Sequence, residues 1–450
     1  MTATAPGVPR TSSARVRALL TRASSPASEV GSREAWLLLA AIVAGLAVRV
    51  VYVILFRHAA LAGDEVEYDA EGQFIAHGHF FWTTVPYGIA HAGAWKAPGY
   101  PLWVGLWYAL VGHHPEAVRA AQVPLGAVTI LLSWILARRL FGARVAIVAA
   151  FAVALYPLAW QYEELLYSES LATPLTLGLL ILIFSRPPTW RRAIAVGLLL
   201  GLTMFVRPTT EFVLAGALVA WILEAGWRRG VGMTVAALLV AVCVIVPWTV
   251  RNAVVLHGFV PISLQDAAAY GTFNPQSASN PFGPWAWQPD PASDAYLFNP
   301  RHPLSDVTLR AQLIHRATAY VEAHPSSLLD AFFWNGLSRL WDIRRRSRSV
   351  AEVPFEGRSR LVTDLGLDVY DVFLPLALIG LWRVRRRRWL VLGFLAIALA
   401  ASVVYTIDSG TRYRAPLEPL IAILACVGVL GSHTPPRAPD ADRNRPSGSI

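Results

Sequence analysis

The stretch Trp95-Lys96-Ala97-Pro98-Gly99-Tyr100-Pro101-Leu102-Trp103-Val104-Gly105-Leu106-Trp107-Tyr108-Ala109-Leu110-Val111 decides the topology of the chain. Its apolar part, Tyr100–Val111, is short for a helical membrane crossing, which takes about 20 residues. Ten other apolar runs are candidate spans: Trp36–Phe56, Ala117–Leu136, Val145–Trp160, Leu166–Phe184, Ala193–Val206, Phe212–Leu223, Val231–Val250, Leu367–Trp382, Trp389–Ile407 and Leu417–Leu430. The arginines decide whether Tyr100–Val111 adds another, because cytoplasmic loops carry the excess of basic residues. The N-terminal tail holds Arg10, Arg15, Arg17, Arg22 and Arg33. If the run does not cross, Arg138/Arg139/Arg144, Arg186/Arg191/Arg192, Arg228/Arg229 and the cluster Arg383–Arg388 share the side of that tail. If it crosses, every one of them moves to the opposite side. The pattern therefore predicts an all-α polytopic membrane protein with both termini cytoplasmic. Tyr100–Val111 becomes a helix lying at the outer membrane face, beginning after Pro98.

Composition agrees. Of 450 residues, 55% are hydrophobic and 15% charged, against roughly 25% charged in soluble domains. So few charges exclude a soluble enzyme, a disordered chain and a coiled coil. The two cysteines, Cys243 and Cys426, sit inside apolar runs and exclude a disulfide scaffold. The net charge of +10 falls in clusters between apolar runs rather than on one face, so no nucleic-acid partner is expected. Tryptophans near span ends, such as Trp36, Trp160, Trp248, Trp382 and Trp389, suit an interfacial belt against membrane lipids. The expected organisation is a disordered cytoplasmic tail (1–35) and a transmembrane core (36–250) that contains an outer loop (57–116). An extracytoplasmic loop region of mixed structure (251–366), C-terminal spans (367–430) and a cytoplasmic tail (431–450) follow. Every histidine except His433 lies in the two outer segments, so function is expected on the extracytoplasmic side.

Four groups of residues there could carry chemistry. Asp64, Glu65, Glu67, Asp69 and Glu71 crowd a helical stretch just outside the first span. Asp64 and Glu67 form a capping-box pattern, and carboxylates beside one another have raised pKa values that suit a general base. Lys96 is the one lysine in a chain otherwise using arginine. It either snorkels to lipid phosphates or binds one specific phosphate. Arg207, Arg251 and Arg412 stand at outer span ends, against the positive-inside trend. Each alone reads as half of an ion pair, and together they suit an anion site. Arg49 either snorkels or faces the same cavity. Glu169, in Tyr167-Ser168-Glu169-Ser170, binds a sugar hydroxyl or pairs with an arginine.

Taken in order, Gly63-Asp64-Glu65…Tyr68, Lys96-Ala97-Pro98-Gly99-Tyr100-Pro101-Leu102, Tyr167-Ser168-Glu169, Val206-Arg207-Pro208, Pro247-Trp248…Arg251-Asn252 and Arg412-Tyr413-Arg414…Pro416-Leu417…Pro419 resemble the GT-C superfamily of polytopic glycosyltransferases. The nearest likeness is to the bacterial branch related to protein O-mannosyltransferases and aminoarabinose lipid A transferases. The resemblance implies a polyprenyl-phosphate-sugar donor, an extracytoplasmic acceptor, and inversion at the anomeric carbon. It implies Asp64 as the base or acceptor-orienting carboxylate with Glu65 in support, and Lys96 on the donor phosphate with Arg251, Arg207 and Arg412. Tyr68 and Glu169 would contact substrate. The aminoarabinose branch places Glu before the lysine and can hold a metal there. Trp95 stands at that position here, so a divalent metal, which the resemblance allows, is not supported by this sequence, nor is lipid A chemistry, and no other cofactor is implied.

The reading is thus a glycosyltransferase of the bacterial plasma membrane, with a transporter or flippase of lipid-linked saccharides as the alternative. Topology is directly testable. Reporters fused after Arg144, Arg192, Arg229 and Arg388 should report cytoplasm, and a reporter near Gly93 the outside. A cytoplasmic signal at Gly93 would overturn the arrangement.

Overall fold

The computed structural model describes residues 31–281, 283–288 and 292–432. Most of the expected disordered N-terminal tail and of the C-terminal tail lies outside these residues, but residues 32–35 already belong to a helix, Ser32–Phe56. Each expected span falls on helix. The runs at Ala117 and Val231 grow into Pro115–Phe141 and Trp227–Leu256. The run at Val145 breaks into Ala143–Leu155 and a short turn, Pro157–Trp160. Pro157 causes the break: it has no N–H, and it holds Tyr156 in an extended conformation. The other expected spans fall on the helices Glu169–Ile183, Trp190–Val206, Val213–Ala225, Arg360–Arg383, Arg388–Val404 and Glu418–Leu430. Among the described residues, six helical segments are long and apolar enough to cross a membrane, and several shorter apolar helices accompany them.

Burial orders these helices. In the segment Thr411–Leu430, 83% of the apolar window is buried, against 22% in Ser32–Phe56. The last helix is therefore the centre of the bundle, and the first lies on its edge. Arg49 of that edge helix is fully buried and donates to Glu163 at 2.8 Å. It neither snorkels nor reaches the outer cluster, because a buried charge needs a charged partner and Glu163 supplies one. Residues 161–168 are irregular yet buried, and they place Glu169 at the start of the next helix.

Asp64–Ala76, the acidic helix, packs against Gly99–Val111, the aromatic helix. Tyr68 meets Tyr100 edge to face at 4.7 Å, and the Tyr108 hydroxyl donates to Asp69 at 2.6 Å. The aromatic helix starts one residue after Pro98, as expected, and exposes Leu102, Leu106 and Leu110 along one stripe. Its first residue abuts the end of Trp190–Val206: a Cβ on Gly99 would stand 2.9 Å from the Phe205 carbonyl oxygen. That approach fixes where the preceding Lys96 can sit relative to Arg207. The second long loop forms Asp306–Ala323, Ser326–Ala331 and a π-helical turn, Phe332–Arg339. The described strands are the two-residue pair Trp82–Thr83 and His91–Ala92. Gly99→Val should destabilise the fold by about 1–3 kcal/mol through overpacking, read as a lower Tm in detergent. An unchanged Tm would mean the two elements do not touch.

Candidate active site

The site is built around the Lys96 ammonium. Its Nζ lies 2.9 Å from Asp64 Oδ1 and 2.8 Å from Glu67 Oε2, above the Tyr68 ring at 5.3 Å from its centre. Asp64 and Glu67 are three apart on the acidic helix and so share a face. Lys96 reaches them from the segment joining His91–Ala92 to the aromatic helix. That segment is tied down by Leu264 N–H donating to the Ala94 carbonyl at 2.8 Å. The Lys96 side chain is only 9% exposed, so it does not snorkel to lipid.

Asp64 also receives the C-terminal segment. Arg412 Nη2 donates to Asp64 Oδ2 at 2.7 Å, across 348 residues of sequence. Arg412 Nε stands 3.3 Å from Glu169 Oε1, and Arg207 Nη1 donates to the same oxygen at 2.5 Å. Arg207 Nε donates to the Tyr405 hydroxyl at 3.1 Å. Glu67, Lys96, Asp64, Arg412, Glu169 and Arg207 therefore form one alternating chain of charge. Glu169 pairs with both arginines, the second of the two roles its sequence allowed. Tyr167 and Tyr413 cover the Arg412 guanidinium at 4.5 and 4.9 Å.

The remaining expected site residues lie behind this chain. Glu65 is fully buried and pairs with Arg119 Nη2 at 3.1 Å. It also accepts from Leu166 N–H at 2.9 Å and Ala62 N–H at 3.2 Å, so it pins the acidic helix to the bundle. Arg251 is not brought to Asp64. It donates to the Gly93 carbonyl at 2.9 Å and packs over Trp248 and Phe81, bracing the segment that carries Lys96.

Two local expectations are corrected. The cap of the acidic helix is Gly63, with φ 56° and no side-chain cap bond, rather than Asp64. The left-handed φ suits glycine, and a Cβ there would press on the Phe355 carbonyl oxygen at 2.7 Å. Asp64 and Glu67 are occupied by Lys96 instead of by backbone N–H groups. Nor is the Asp64 carboxyl raised: burial pushes it up, but Lys96 and Arg412 outweigh that and hold it well below the usual carboxylate range. Glu71 of the same helix is raised instead, pushed up to about 8 by burial, with Lys96 opposing the rise and Glu67 and Asp64 adding to it. The sequence showed Glu71 only as one acid among five. Its burial depends on Thr83 and the aromatic helix, which spacing alone does not place. With both Asp64 oxygens taken by cations, this carboxylate set does not fit a metal ion.

The sequence family described as dolichyl-phosphate-mannose-protein mannosyltransferase matches residues 95–250. That range contains Lys96, Glu169 and Arg207, but neither Asp64 nor Arg412. The archaeal oligosaccharyltransferase AglB of Archaeoglobus fulgidus, in complex with an inhibitory peptide and a dolichol-phosphate, superposes with a TM-score of 0.51 at 14% identity, covering 88% of this chain and 50% of that one. The same organism's oligosaccharyltransferase tethered to an acceptor peptide gives 0.50 at 13% identity, over 90% and 50% of the two chains. The fold is of the GT-C type. This chain spans about half the length of the oligosaccharyltransferase chain. ArnT of Cupriavidus metallidurans bound to undecaprenyl phosphate gives 0.38 at 16% identity, over 86% and 78%. No curated protein matches the chain.

Within this GT-C fold, Glu65 and Asp64 are neighbours with different burdens. Glu65→Gln leaves a buried arginine uncompensated and should cost roughly 3–5 kcal/mol, read by thermal unfolding. Asp64→Asn should cost far less, because Lys96 keeps Glu67 and Arg412 keeps Glu169. Equal losses would contradict this division.

Proposed function

We propose that the chain is an integral-membrane glycosyltransferase that moves a hexosyl or pentosyl unit from a polyprenyl-phosphate-linked donor to an extracytoplasmic acceptor, with inversion. The plasma membrane of a bacterium is the proposed location, with both termini cytoplasmic and the charged cluster outside. Residues 36–250 and 367–430 form the membrane body, and 251–366 the extracytoplasmic loop region. The observation that carries the reading is the pairing of Lys96 and Arg412 on the two oxygens of one carboxylate, Asp64.

The chemistry follows from that arrangement. Before the donor arrives, Asp64 and Glu67 neutralise the two cations. The donor phosphate is a competing anion, and Lys96 and Arg412 turn to it. As they do, the charges that suppress the basicity of Asp64 are shared with the phosphate. Asp64 can then accept the proton of an acceptor hydroxyl held against it. The acceptor oxygen bonds to the anomeric carbon while the bond from that carbon to the phosphate oxygen breaks. Polyprenyl phosphate leaves with its charge stabilised by Lys96 and Arg412, as preorganised cations do for developing anions. Glu169, Arg207 and Tyr405 hold Arg412 in place. Tyr68 supports the Lys96 stem, Glu65 anchors the helix, and Arg251 braces the segment that bears Lys96.

The test is transfer of radiolabelled sugar from polyprenyl-phosphate donors by purified protein across a panel of acceptors. Asp64→Asn should lower single-turnover transfer on the order of 10²–10⁴-fold at nearly unchanged Tm. Lys96→Arg should recover only part of the activity, because a planar guanidinium cannot occupy the two-carboxylate seat as a compact ammonium does. Movement of intact lipid-linked saccharide across a vesicle bilayer without transfer would support the flippase reading instead.

A further inference from the structure

Glu71 takes no part in the chemistry above, yet its position is specific. Asp64, Glu67 and Glu71 stand at i, i+3 and i+7 on the acidic helix, one above another on one face. Lys96 bonds the first two. The third, only 6% exposed, forms a wall of a narrow cleft together with Lys96, Thr83, Trp95 and Trp248. The cleft has room for about one water. The charged and titratable groups around Glu71 are few. Asp64 and Glu67 belong to its own helix, and Lys96 precedes the aromatic helix, which carries no charged residue of its own. Thr83 of the first strand lines the same cleft. Arg251 donates to the carbonyl of Gly93, a wall of the cleft. Asp306, paired with His91 at 3.0 Å, lies close to that glycine, 3.3 Å from where its Cβ would stand.

Charge arithmetic gives this acid a consequence. With Asp64 and Glu67 ionised, Lys96 and Arg412 leave the local sum at zero. An ionised Glu71 would add a third negative charge in the cleft that Lys96 also lines, in a place shielded from water. There it would attract the ammonium and repel an approaching anion.

We propose that Glu71 is a positioning residue that sets donor affinity through its own charge, leaving Lys96 free for the donor phosphate when neutral and weakening phosphate capture when ionised. The inference rests on the glycosyltransferase reading only in naming the phosphate as a lipid phosphate. Burial of Glu71, which pushes its carboxyl up to about 8, places the transition just above neutral pH. The gate closes as pH rises and reopens as it falls.

Binding of polyprenyl phosphate, the leaving group itself, to detergent-purified full-length protein tests this without turnover. Wild type and Glu71→Gln are compared between about pH 7 and pH 9. The amide keeps the shape and stays neutral, and the pairing removes the titration of the lipid phosphate from the comparison. Wild-type affinity should fall roughly tenfold more than that of Glu71→Gln over this range, the effect of one buried charge several ångströms away. Identical pH profiles in the two proteins would overturn the gate while leaving donor binding standing. No binding by wild type at any pH would sink the lipid-phosphate reading and the gate with it. A second readout guards against a merely structural role. A carboxyl raised on folding contributes stability that is present below its unfolded value and lost as pH rises through its folded one. The Tm of wild type should therefore decline more steeply than that of Glu71→Gln between about pH 5 and pH 8. Equal slopes would show that Glu71 is not held neutral, and would also overturn the gate.

Discussion

One buried ammonium group holds the site in order. Lys96 lies between two carboxylates of a single helical turn, and a charge so placed is tolerable only when paired and hydrogen-bonded. The same holds for its partners. Three acids in the first turn of the acidic helix gain from the helix dipole, but they repel one another without a cation among them. Lys96 and Arg119 remove that repulsion from opposite sides. Arg412 then ties the turn to the last helix of the bundle, and Glu169 and Arg207 extend the tie to the middle of the chain. Distant parts of the sequence are thus locked to one point by charge, on a scaffold held by apolar packing.

Such a site is closed on itself but exchangeable. Each cation is satisfied by carboxylates, so the cluster is stable without substrate. In the proposed mechanism each trades a carboxylate for the donor phosphate, one anion for another. A leaving phosphate needs fixed positive charge, and an acceptor hydroxyl needs a nearby base. The proposed mechanism meets both needs by separating the partners that the substrate-free site holds together. In the proposed mechanism a carboxyl suppressed by two cations serves as a base because the suppression is strongest before the donor binds.

The helical architecture was legible because apolar runs are local signals. Pro98 and Gly99 marked the start of the aromatic helix to within a residue. The acids and cations of the site were legible as residue types in unusual places. Their pairing was not. Asp64 meets Arg412 across 348 residues, and no periodicity reports such a contact. The capping-box pattern at Asp64 and Glu67 misled for the same reason: a long-range lysine claimed both side chains, and Gly63 took the cap. Arg251 and Glu65 resembled site residues by type and position, while tertiary contacts gave them bracing roles. Glu71 stayed hidden because its burial comes from Thr83, the Lys96 segment and the aromatic helix, whose approach no local pattern reports.

The most direct measurement is an experimental structure of the full-length protein with a polyprenyl phosphate bound. The account predicts the phosphate within hydrogen-bonding distance of Lys96 and Arg412, with at least one of them moved off Asp64. A phosphate seated elsewhere, with the Lys96–Asp64–Arg412 contacts intact, would contradict it.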